Sequence, residues 1–243
     1  MNSRKYAVRL AVLAGIFGIG AGSANAAIMD QVGNSPAYIT SQNAYLSDFF
    51  ESGHVVDDTA VVDDFTVTGP TLLTRVLAAT DGYGGFVSYS DVTSWSVEIY
   101  SSEARAATSL VGDVYSRTYA PAGVTLTNPF GGSADSALFN ASTAAVLPTA
   151  GTYYIAVIAG NSFTANGEIG IYASSGAFDS TPGGLNANQF NPQGGLGFSG
   201  NQNPLGLDAA YAVEGVAIPE PASAILFSLV AAGPLLSRRR RFR

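Results

Sequence analysis

The chain has 243 residues, 11 basic and 18 acidic side chains, a formal net charge of −7 and no cysteine. The lack of cysteine excludes disulfide staples and thiolate metal sites. Residues 27–217 hold 17 of the acids (only Glu220 lies outside) against Arg75, Arg105, Arg117 and no lysine, a formal charge of −14, which repels polyphosphate and argues against nucleic-acid binding.

At the N-terminus, Arg4, Lys5 and Arg9 precede the apolar or small run Leu10–Gly22 and an A-x-A arrangement at Ala24 and Ala26. A basic region, a short apolar stretch and small residues together predict a secretory signal peptide over 1–26, removed by signal peptidase after Ala26. The apolar run is too short to span ~30 Å of hydrocarbon.

Residues 27–217 are enough for one domain with a sizeable core. His54, the only histidine, sits in "ESGHVVDD" and is expected at the solvated start of a strand. Alternation then recurs along the chain. "DDFTVT" turns Phe65 and Val67 inward, "TSWSVEIYS" does so with Trp95, Val97 and Ile99, and "TYYIAVIA" with Tyr153, Ile155 and Val157. "EIGIYAS" aligns Ile169 with Ile171, and "AAYAVEG" aligns Tyr211 with Val213. A period of two with β-branched and aromatic residues predicts strands with one face in a core. Asp81-Gly82 and Asn166-Gly167 are expected to form tight turns, and Asn-Pro-x-Gly at Asn128, Asn191 and Asn203 predicts type I turns. "SEARAATSL" allows one or two helical turns. The Gly/Asn/Pro-rich stretch 176–206 reads as a long loop that tucks Phe178, Phe190 and Phe198 onto the domain. Eight or nine short strands of this kind imply an all-β fold, an antiparallel β-sandwich that is jelly-roll-like, flanked by an N-terminal signal helix and a C-terminal transmembrane helix.

Few motifs carry chemistry. Gly195-Leu-Gly197-Phe-Ser-Gly200 matches a dinucleotide fingerprint, but Asn201, Gln202, Asn203 and Pro204 cannot open the helix that fingerprint needs. "GGLGFS" lacks the aspartate of a calcium nonapeptide and has no second copy. One histidine rules out a multi-histidine zinc site. Asp57, Asp58, Asp63 and Asp64, with Asp48 and Glu51 upstream, are weak calcium candidates; paired aspartates at strand ends are ordinarily solvated. No cofactor is otherwise implied. Two carboxylates could run glycoside hydrolysis, yet nothing singles out a pair among so many acids. Aromatic platforms for sugars are available in principle from Tyr83, Tyr89, Tyr100, Tyr115 and Tyr119, with Trp95 in core phase.

Residues 218–243, "IPEPASAILFSLVAAGPLLSRRRRFR", hold the most specific signal. Ala222–Ser237 is uncharged, ~24 Å long as a helix, with Pro219 and Pro221 ahead of it and Pro234 weakening its end. Arg238, Arg239, Arg240, Arg241 and Arg243 follow and act as a cytoplasmic stop-transfer cluster, leaving the body outside. Pro219-Glu220-Pro221, apolar helix and arginine cluster, in that order at a C-terminus, resemble the PEP-CTERM sorting signal of Gram-negative bacteria. The resemblance implies processing near Pro-Glu-Pro by an exosortase, a transient membrane-anchored precursor, and a surface or extracellular destination associated with exopolysaccharide and biofilm. It brings no catalytic residues. The expected function is therefore that of an exported, non-enzymatic surface or matrix protein, with a carbohydrate-binding, lectin-like module as the alternative.

Overall fold

The computed structural model describes residues 25–33, 43–130, 133–174 and 186–219. The expected signal peptide through Ala24, Glu220 and Pro221 of the Pro-Glu-Pro motif, and the expected C-terminal helix with its arginine cluster lie outside the described residues, while Ala26 and Pro219 lie within them. Among the described residues no helix is long and apolar enough to cross a membrane.

Fourteen strands are described: β1 (Ala26–Asp30), β2 (Ala44–Leu46), β3 (Asp48–Phe49), β4 (Ala60–Val67), β5 (Thr71–Tyr83), β6 (Ser94–Tyr100), β7 (Tyr115–Tyr119), β8 (Thr125–Thr127), β9 (Ser136–Leu147), β10 (Gly151–Gly160), β11 (Glu168–Tyr172), β12 (Asn188–Phe190), β13 (Gln202–Pro204) and β14 (Tyr211–Ala217). They form two seven-stranded sheets. In the first, β5 pairs with β14, β11 and β9; β1 borders β14, β2 borders β11, and β8 borders β9. The second runs β13-β12-β4-β10-β6-β7, with β3 joined to β10. Every pairing is antiparallel except β3 with β10.

The inner faces share one core. Phe65, Val67, Trp95, Val97, Ile99, Ile155 and Val157 of the second sheet meet Leu73, Val76, Phe139, Leu147, Ile171, Tyr211 and Val213 of the first. These include the residues whose alternation pointed inward. The opposite faces are also largely covered. Outside the second sheet, Ala60, Val62, Tyr100, Ala156, Ile158 and Phe190 pack with Ala106 and Leu110. The covering segment contains the one-turn helix α1 (Glu103–Ala106), where "SEARAATSL" allowed one or two turns. It is fixed by Tyr100, whose hydroxyl donates to Leu110 O (2.8 Å), and by Glu98, whose carboxylate accepts from Gly112 N (2.8 Å).

Three expectations are corrected. Asp81-Gly82 is not a turn but the far end of β5; the Phe86 ring lies where a side chain on Gly82 would go, so this glycine serves close approach. The reversal comes at Gly84 and Gly85, with φ of 59° and 97°. Asp63 and Asp64 are not solvated strand-end acids: they are buried inside β4. Nor is the stretch 176–206 a plain loop, since its described part supplies β12 and β13, and β12 pairs with Ala60–Val62 of β4. Phe190 is fully buried there, and Asn191 is tied down by its amide, which donates to Val56 O and Asp58 O (both 2.8 Å) and accepts from Leu196 N (2.9 Å).

One local feature decides how the second sheet opens. β4 and β10 pair in constant register from Val67↔Gly151 to Asp63↔Ile155. The same register would place Val61 opposite Val157, where the two residues would exchange two ladder bonds. Instead, each bond is relayed through a hydroxyl. Val157 N donates to Tyr211 Oη (3.3 Å), which donates to Val61 O (2.7 Å). Val61 N donates to Ser47 Oγ (3.3 Å), which donates to Val157 O (2.7 Å). The strands splay by the width of a hydroxyl, β3 docks on β10, and Tyr211 spans from the first sheet to the second. Replacing Tyr211 with Phe leaves a buried N–H and C=O unpaired and should cost about 1–3 kcal/mol in urea denaturation, as should Ser47→Ala. The double variant should depart from additivity by about 0.5 kcal/mol or more, because both hydroxyls serve one residue pair; additive losses would count against the relay.

Candidate ligand cleft

The only histidine lies at the edge of a cleft of about 210 Å³, lined by Leu46, Phe50, His54, Asp57, Phe163, Glu168 and Leu196. Three segments distant in sequence build most of it, with Leu46 of β2 and Phe50 completing the wall. The first is the 3-10 turn Val55–Asp57, preceded by His54, whose Nδ1 lies 3.5 Å from Asp57 Oδ2. The second is helix α2 (Phe163–Asn166) leading into β11. The third is the loop 191–196, where Gly195 N donates to Val56 O (2.9 Å). A side chain on Gly195 would collide with the Val56 carbonyl and the Asp57 carboxylate, so glycine is required for the loop to close on the turn.

The first and second segments are locked together. Glu51 accepts from Phe163 N (2.8 Å), Thr164 N (3.1 Å) and Thr164 Oγ1 (2.7 Å), and these bonds hold its carboxyl down at about 2. Asp58 Oδ1 accepts from Phe50 N (2.7 Å). The Phe163 ring stands edge-on to Phe50 (centroids 5.7 Å apart) and tilted against His54 (5.0 Å), while remaining 39% exposed. Asn166-Gly167 is not the expected tight hairpin turn: Asn166 is the last residue of α2 and Gly167, with φ of 65°, ends it, while the buried Asn166 amide bonds to Val87 N, Ser88 N, Ser88 O and Asn161 Oδ1. Glu168 then enters the cleft from the first residue of β11. No hydrogen bond or cation among the described residues reaches its carboxylate, and desolvation pushes it above the usual carboxylate range.

The calcium candidates do not converge. Asp57 faces the cleft and Asp58 caps the Phe50 amide. Asp63 points between the sheets, accepting from Ala209 N (2.7 Å) and Asp64 N (2.9 Å). No group of three or more metal-binding side chains is found among the described residues. Nor do the tyrosines converge as a set, although Tyr115 and Tyr119 meet, their hydroxyls 3.4 Å apart. Tyr100 and Tyr119 are buried; Tyr89 is half-buried against Trp95 and donates to Asp135 O (2.8 Å). Tyr83 and Tyr115 are half-buried at separate places. The fingerprint-like glycines 195–200 feed a 3-10 turn and β13 rather than a helix. Sequence reasoning missed Glu51, Phe163 and Glu168 as partners of the His54 segment, since Glu51 and Phe163 are 112 positions apart with no motif linking them.

No family model matches the chain, and no curated protein matches it.

Buried acids dominate the electrostatics. Burial raises the carboxyls of Asp48 and Asp63 well above their ordinary range, and those of Asp58, Asp81, Glu98 and Glu168 to a lesser degree. An acid whose folded pKa is raised keeps its proton when the unfolded chain has lost it. Its contribution is therefore full below the ordinary carboxylate range and is lost as pH climbs through the folded value. Glu51 works in the opposite sense, losing its contribution as pH falls from the ordinary value of 4.5 toward about 2. Thermal melts should give a higher Tm near pH ~5 than near pH ~8. Asp48→Asn, which keeps an acceptor for Ile169 N, should flatten that slope; a Tm that rises with pH would refute the assignment.

Proposed function

We propose that this chain is an exported, non-enzymatic β-sandwich of jelly-roll-like connectivity, delivered to the cell surface or extracellular matrix by a C-terminal sorting signal of PEP-CTERM type. In this reading, signal peptidase removes residues 1–26 and the apolar helix within 218–243 holds the precursor in the membrane. An exosortase then releases the body near Pro219-Glu220-Pro221, and the mature domain works in association with exopolysaccharide. The observation that carries the reading is the tail itself: Pro-Glu-Pro, an uncharged helix-length run and a terminal arginine cluster, behind a lysine-free acidic body and a signal-like N-terminus.

Two features of the fold support it. β14 ends at Ala217 and Ile218 N donates to Pro70 O (2.8 Å), so the ordered strand stops just ahead of the motif. β1 opens at Ala26, paired with Gly215 of β14, so the two proposed processing points lie at one end of one sheet. The lectin-like alternative draws support from the cleft, where an exposed aromatic ring stands beside carboxylates. Intact mass of the protein from medium and from membranes of a host with this processing system tests the proposal. A species beginning near Ala27 and lacking the residues beyond Pro-Glu-Pro is expected; a full-length tail retained in the membrane overturns it.

A further inference from the structure

The cleft at His54 combines a rigid wall, an exposed aromatic ring and two carboxylates, Asp57 beside His54 and Glu168 with no cation beside it among the described residues, which together specify a ligand. Its walls are tied by the Asn191 amide, the Glu51 bonds to α2 and the Gly195–Val56 bond, so the shape exists before any ligand arrives. At about 210 Å³ it falls below the ~300–1,000 Å³ of drug-sized sites and suits a single small ring. Two of its lining side chains, Asp57 and Glu168, are acids, and Arg75, Arg105 and Arg117 line no part of it. Glu168 is half-buried with no counter-charge, an arrangement that a bound cation relieves. Phe163, with Leu196 and Leu46 nearby, offers an apolar surface for the face of a ring.

We propose that this cleft binds one residue of a deacetylated amino-sugar polysaccharide, with the sugar's apolar face on Phe163 and its protonated amine between Glu168 and Asp57. The identity of the ligand rests on the matrix-polysaccharide reading; the cleft chemistry does not. The formal charge of −14 on residues 27–217 favours a polycationic glycan over a neutral or anionic one at long range as well. An acetylated sugar of the same shape has no charge to offer Glu168 and leaves that carboxylate buried under the ring without a partner.

The test is calorimetric titration of the full chain, solubilised in neutral detergent, with glucosamine tetrasaccharide, its fully N-acetylated counterpart and spermidine. Binding of the glucosamine oligomer about ten-fold or more tighter than the acetylated one is expected, with a similar loss in Glu168→Gln and in Phe163→Ala, and none in the exposed Asp91→Asn. Circular dichroism melts establish that each variant is folded. Equal affinity for both oligosaccharides, or no binding of either, overturns the proposal. Spermidine binding as tight as the amino sugar would make the site a simple amine site and also overturns it. An Asp91→Asn loss equal to that of Glu168→Gln would reduce the effect to bulk charge, with the same consequence. Because the full chain is used, the result is independent of whether the tail is processed.

Discussion

The splay between β4 and β10 is the constraint from which much of the molecule follows. Without cysteine, two sheets of this size are joined by apolar burial and by whatever polar groups cross between them. Buried polar groups cost free energy unless paired, so the crossings must be complete. Tyr211 and Ser47 meet that demand by standing in for two ladder bonds. The opening they create admits β3, and β3 carries Asp48, whose carboxylate accepts from Ile169 N (2.7 Å) of β11 in the first sheet. A third tie is the Asp63 carboxylate of β4, which accepts from Ala209 N (2.7 Å). The sheets are thus registered to one another by a few polar pins set in an otherwise apolar layer.

The same pins position the cleft. Ile169 is held by Asp48, and the preceding residue, Glu168, is therefore held at the mouth of β11. Asn191, next to the buried Phe190 of β12, ties the loop to the His54 turn. The cleft depends on both the β3–β11 contact and the attachment of β12 to β4, so its geometry is a product of how the two sheets meet. Burial of acids here and in the interior raises their carboxyls above the ordinary range.

How much was legible depended on which physical signal each residue carried. Alternation identified Trp95, Val97, Ile99, Tyr153, Ile155, Val157, Tyr211 and Val213 as inward, and all lie in the shared core. The strand count was too low because β2, β3, β8, β12 and β13 are only two or three residues long, too short to display a period. Alternation also reports which way a side chain faces, not what covers it. Alternating with Val97 and Ile99, Glu98 and Tyr100 face outward, yet both are buried under the segment 101–112, and Asp64, alternating with Phe65, is buried likewise. Asp63 faces inward, where its carboxylate is met by the distant Ala209 N and the adjacent Asp64 N. The cleft was invisible for the same reason: Glu51, Phe163 and Leu196 share no local pattern, and only the fold brings them together.

The position of β14 has a mechanical consequence. The strand lies inside its sheet, with β1 bonded along one edge and β5 along the other, and its last residues are held by Ala217↔Thr71 and Ile218 N to Pro70 O. A pull applied at Pro219 along the strand axis loads both ladders in shear, so many hydrogen bonds share the force and must yield together. An edge strand pulled outward would instead peel one bond at a time. A domain pulled at this end meets the force through a strand bonded on both sides.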